Sequence, residues 1–114
     1  MAAIERDEFS RYRIGRLLDG YIQLKVPGSM RRDIRLAYCW EENGLTLSEL
    51  RPALPESGWH SKDIVHFRLN NGKWAVCMKR KGAWSEVPMI PLHGDFEHQL
   101  EQVELDRHGL FWGE

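Results

Sequence analysis

The sequence predicts an α+β domain: an antiparallel meander of about five strands flanked by an N-terminal and a C-terminal helix. Three observations predict it. Asn71-Gly72 separates two alternating runs, Ile64 to Asn70 and Lys73 to Lys79, and Asn-Gly is the strongest short hairpin signal. Ile14, Leu17, Leu18, Tyr21 and Ile22 recur at helical spacing near the start of the chain. Phe96, Leu100 and Val103 repeat that spacing near its end, behind Asp95 as N-cap.

Taken in order, the first helix opens at Asp7 or Glu8, spans about 7–25 and stops before Pro27-Gly28. Met30-Arg31-Arg32 leads into the sheet, expected over about 33–89. In its first strand Ile34, Leu36, Tyr38 and Trp40 alternate with Arg35, Ala37 and Cys39. Asn43-Gly44 reads as a second hairpin turn, pairing Trp40 with Leu47, Tyr38 with Glu49 and Leu36 with Arg51. That register sets Glu49 and Arg51 on the apolar side of the sheet, where charges must pair or reach solvent at the strand end. Ala53 to Ser61 reads as a loop holding an isolated Trp59.

The Asn71-Gly72 hairpin sets Leu69 against Trp74, Phe67 against Val76 and Val65 against Met78, an apolar face. Ile64, His66, Arg68, Ala75, Cys77 and Lys79 fall on the other, mixed face. Lys81-Gly82 turns into a last strand, Ala83 to Met89, whose Pro88 and the nearby Pro91 suit a sheet edge. The second helix is expected over about 95–107 with Gly109 as its C-cap. Leu110-Phe111-Trp112-Gly113 is too apolar a tail to stay in solvent and is expected to dock on the domain.

Length and composition fit one domain, 1–114, with enough apolar residues (42%) for a real core. No apolar run is long enough to span a bilayer, so no membrane role is expected. MAAIERDEFSRYR has acids and no apolar h-region, which predicts a cytoplasmic location and leaves Cys39 and Cys77 as free thiols. The charge is segregated: residues 24–81 carry eleven basic and six acidic side chains (+5), residues 82–114 one and seven (−6). The two halves can screen one another, or the basic part can face a polyanion.

The chemistry-bearing residues form three groups. Cys39, His66 and Cys77 project from the mixed face, but no CxxC or HxxxH spacing accompanies them. No metal, cofactor or catalytic residue is therefore predicted; a Cys77–His66 nucleophile would need an orienting third group and an oxyanion site, and beyond a nearby Glu86 nothing supports it. Arg35, His66, Arg68, Lys79 and Trp84 share the mixed face over a floor of small residues. Basic groups with a stacking ring suit a single-stranded nucleic acid, while the small floor suits close packing of a helix. Glu49 and Arg51 form either an ion pair at a strand end or a polar ligand site. Walker, GxGxxG, GxSxG and EF-hand signatures do not occur.

Asp33 to Tyr38, Glu49-Leu50-Arg51-Pro52, Gly72-Lys73-Trp74, Gly82-Ala83-Trp84 and the closing Asp106-Arg107-His108-Gly109-Leu110-Phe111-Trp112-Gly113 carry a resemblance. From about Arg31 onward the chain resembles the small bacterial family catalogued as domain of unknown function number three thousand and twenty-four. That resemblance implies a bacterial origin, brings no established activity, and directs attention to Glu49, Arg51, Trp74, Trp84, Asp106 and Trp112. The expected function is a non-enzymatic binding or adaptor domain for a protein or nucleic-acid partner, through Glu49, Arg51, His66, Arg68, Lys79 and Trp84. The alternative is a small enzyme or ligand binder using Glu49 and Arg51.

Overall fold

Asn71 and Gly72 take φ of 53° and 78°, the pair of positive values that a type I′ turn requires. The strands they join, β3 (Trp59–Asn70) and β4 (Lys73–Arg80), pair as expected, with Leu69 opposite Trp74, Phe67 opposite Val76 and His66 opposite Cys77. This computed structural model describes residues 8–30 and 32–112. The expected helix start at Asp7, Arg31 in the lead-in and Gly113 in the tail lie outside them. Around the hairpin stand α1 (Glu8–Lys25), β1 (Arg35–Glu41), β2 (Gly44–Pro52), β5 (Ala83–Glu86) and α2 (Phe96–Leu105). The five strands form one antiparallel sheet in sequence order, so the predicted meander with a helix before it and a helix after it is the fold.

The first hairpin differs from the expectation. Leu36 pairs with Glu49, Tyr38 with Leu47 and Trp40 with Leu45, so Glu42-Asn43 is the turn and Gly44 is already a strand residue. Gly44 serves a close approach: a Cβ there would lie 2.0 Å from the Phe67 carbonyl oxygen. Because partners slip by two, every side chain keeps its predicted face.

A second difference has larger consequences. Leu47 pairs with Val65 but Ser48 pairs with Asp63, so Ile64 is the extra residue of a β-bulge. The bulge moves Ile64 off the mixed face and into the core. It also inverts the facing of every β3 residue before it. Trp59, expected in a loop, is the first residue of that strand, opposite Pro52.

Both helices pack on the apolar face. Leu18 of α1 and Phe96, Leu100 and Val103 of α2 join Leu45, Leu47, Val65, Phe67, Trp74 and Val76 in one core. Phe96 sits 4.7 Å from Phe67 and 5.1 Å edge-on to Trp74, ring centre to ring centre. Gln99 is fully buried, and its Nε2 donates to the carbonyls of Trp74 (2.8 Å) and Pro91 (3.0 Å). That amide holds α2 to β4 and to the segment whose His93 bridges Trp74.

Asp95 caps α2 as expected, its side chain accepting from the Glu97 N–H. The C-cap is Asp106, in the left-handed region at φ 45°, and not Gly109, which turns the chain three residues later. An aspartate serves here because its carboxylate also collects the amides that follow: Leu110 N–H at 2.7 Å, Phe111 at 3.2 Å and Trp112 at 2.9 Å. The tail is thereby laid on the domain, with Phe111 buried in the core.

Candidate functional site

Among the described residues the mixed face of the sheet carries no helix, since α1 and α2 both lie on the other side. The small floor residues therefore do not serve helix packing, contrary to that expectation; the helices use the apolar face, where burial yields more. A row crosses all five strands here: Cys39, Thr46, His66, Cys77 and Glu86. Thr46, His66, Ala75 and Cys77 are buried on it, shielded by the longer side chains around them.

His66 is the centre. Its Nδ1 lies 2.8 Å from Thr46 Oγ1 and 3.3 Å from Glu41 Oε1, and its ring stacks on Trp84 with centroids 5.3 Å apart. Burial pushes the His66 pKa down and Arg68 adds to this, against Glu41 and Asp63. The ring is therefore neutral near pH 7. Lys79 bonds Asp63 at 2.6 Å and covers the Trp84 ring at 5.1 Å, while Ser48 donates to Asp63 at 2.9 Å. The Lys79 bond outweighs partial burial and holds the Asp63 carboxyl below its ordinary value. Arg68 approaches Glu86 at 3.9 Å, and Arg35 stacks on Trp59 at 4.2 Å.

Of the predicted residues, His66, Arg68, Lys79 and Trp84 thus share one face, as the alternation implied. The same face also holds Glu41, Asp63 and Glu86, so it is not a basic patch. Asp63 was hidden from simple alternation by the bulge. Burial raises the Cys77 thiol, the opposite of what a nucleophile needs. Among the described residues no three His, Cys, Asp or Glu side chains converge to hold a metal ion.

Glu49 and Arg51 lie on the opposite face, at the end of the sheet beyond the helices. They form an ion pair at 3.2 Å, with the Glu49 side chain 15% exposed and Arg51 62%. The bulge brings Lys62 opposite Glu49 and His60 opposite Arg51. Together with Phe111 and Trp112 of the tail these residues line a cleft of about 510 Å³. The six predicted site residues accordingly fall into two places.

Trp112 is fixed by its neighbours. Lys25 lies 4.3 Å from its ring centre and bonds Glu104 at 3.0 Å, and Tyr21 donates to the same Glu104 oxygen at 2.7 Å. The Trp112 indole N–H bears on Tyr21, but among the described residues it is buried without an acceptor in hydrogen-bond geometry.

The sequence motifs that meet in this cleft, Glu49-x-Arg51-Pro52 and the Asp106 to Trp112 tail, are part of a wider match. The family model described as Domain of unknown function (DUF3024) matches residues 6–113. The chain belongs to that family. No curated protein and no solved structure matches it. For this DUF3024 chain, then, the geometry of its two surfaces carries the functional argument. No helix among its described residues is long and apolar enough to cross a membrane.

Proposed function

We propose that this protein is a non-enzymatic binding domain whose partner-contacting surface is the helix-free face of the sheet, and that the partner is a protein. One observation carries the reading: both helices pack on one side, leaving a five-stranded face that presents Trp84, Trp59, Arg35 and Arg68, with His66 buried beneath the Trp84 ring. Trp and Arg dominate the energetics of protein interfaces, and fixed, mutually supported side chains lose little entropy on binding.

The internal pairing favours a protein over a nucleic acid. Lys79 is already bound to Asp63, Arg68 faces Glu86, and the tryptophan rings are covered by Lys79, His66 and Arg35. Phosphates would have to break these pairs, and bases would have to displace these stacks. A face carrying both signs of charge meets a complementary mixed surface without that cost. The raised thiol of Cys77, beside a neutral His66, gives an enzymatic reading no support.

The test pairs wild type with an Arg68→Glu/Lys79→Glu variant on a mixed oligonucleotide pool in low salt. The expected result is no retention of either. Salt-dependent retention with a log-log slope near about −0.7 per phosphate on single strands, lost in the variant, overturns the choice of a protein partner.

A further inference from the structure

We infer that the cleft between the ends of β2 and β3 and the C-terminal tail binds a small organic anion, a carboxylate or phosphate carried on a flat apolar body. This site lies on the opposite side of the sheet from the face assigned above, and neither reading depends on the other.

Across β2 and β3, Glu49 stands opposite Lys62 and Arg51 opposite His60, all on the cleft side. The cleft thus holds two permanent cations, a histidine and one carboxylate. That carboxylate engages one terminal nitrogen of Arg51, leaving the rest of the guanidinium fork, which has five N–H donors in all, available on a side chain 62% exposed. Among the described residues the Lys62 ammonium meets no carboxylate within ion-pair distance. A bound carboxylate or phosphate would take a fork from Arg51 and a point charge from Lys62, the division of labour these side chains are built for.

Ile64 and Phe111 are buried beneath the cleft, and the Trp112 ring, held by Lys25, forms its side. The partly exposed Trp112 ring is the surface against which a flat ring packs, and the volume of about 510 Å³ is that of a small-molecule site. The bulge at Ile64 and the Asp106 clasp build this arrangement from two segments distant in sequence.

The experiment is a titration followed by two-dimensional ¹H–¹⁵N NMR with four probes: phenyl phosphate, phenylacetate, inorganic phosphate and benzyl alcohol. The expected result is saturable shifts of the Arg51 and Lys62 amides and the Trp112 indole with one or both aromatic anions, and none with the neutral alcohol. The charged group with the tighter binding distinguishes a phosphate ligand from a carboxylate. Arg51→Gln/Lys62→Gln should weaken binding about tenfold or more, while Lys73→Gln, exposed beside the Asn71-Gly72 turn at the other end of the sheet, should leave it unchanged. Lys62, exposed and with no hydrogen bond or ion pair among the described residues, can be changed alone: Lys62→Gln reports separately should the double variant be unstable. Three results overturn the inference: no saturable shift with either aromatic anion, shifts that persist in both glutamine variants, or equal affinity for inorganic phosphate and phenyl phosphate.

Discussion

Trp112 donates its backbone N–H to Asp106 Oδ2 at 2.9 Å, the last of three amides that one carboxylate gathers from the tail. Asp106 therefore both ends α2 and clasps the chain that follows. Asp106→Ala should lose the clasp and strain a left-handed residue, costing about 2–3 kcal/mol. Asp106→Asn tolerates the backbone and keeps one acceptor oxygen, so it should fall between. Thermal unfolding of the three proteins checks the order, and hydrogen exchange at Leu110 to Trp112 should quicken in the same sequence.

Phe111 and Trp112 should respond differently to truncation. Phe111 lies in the core, and Phe111→Ala should cost about 3–5 kcal/mol. Trp112→Phe keeps an aromatic ring under Lys25 and removes a buried N–H that has no acceptor among the described residues, so it should cost distinctly less. Denaturant unfolding of both variants, with unchanged slopes, measures the difference.

Two glycines give a paired test of the fold. Gly44→Ala drives a Cβ to 2.0 Å from the Phe67 carbonyl oxygen, so it must part β2 from β3 and should destabilise severely. Gly20 lies within α1, and a Cβ there would meet nothing within 4 Å. Gly20→Ala should raise stability by about 0.5–1 kcal/mol. Opposite shifts in melting temperature are expected.

Stability should depend on pH through His66. Its folded pKa lies below the ordinary value of 6.5, chiefly through burial, so the unfolded chain takes up the proton first. The contribution of neutral His66 is complete above that ordinary value and is lost as pH falls through the folded one. Asp63, held low chiefly by Lys79, acts in a separate and more acidic window, below its ordinary 3.8. Melting temperatures between about pH 7.5 and 4.5 should fall less for His66→Gln than for wild type.

The elements were legible because local chemistry and periodicity agreed. Asn71-Gly72 set its hairpin register without error, and the stripes of α1 and α2 identified both core-facing surfaces. Asn43-Gly44 misled because a glycine required by strand approach looks in sequence like one required by a turn. The bulge was not legible: Ile64 continues the alternation smoothly, yet it inverts β3 and moves Asp63, Lys62 and His60 to the opposite faces. For that reason the acids of the open face, and the basic lining of the cleft beside Glu49 and Arg51, emerge only in three dimensions. Gln99 and the Asp106 clasp escaped for a related reason, since each acts on backbone groups that hydropathy does not see.

The helix-free face is tested most directly by site-specific photocrosslinking in the host cell. A photoreactive residue replaces Lys79 on that face in one protein and Arg13, exposed on α1, in another. The face reading predicts a discrete heavier protein adduct from position 79, none from position 13, and loss of the adduct when Trp84→Ala and Arg68→Glu are added in a chain that keeps its melting temperature. Adducts from position 13 alone, or an adduct at position 79 indifferent to those two substitutions, would contradict it.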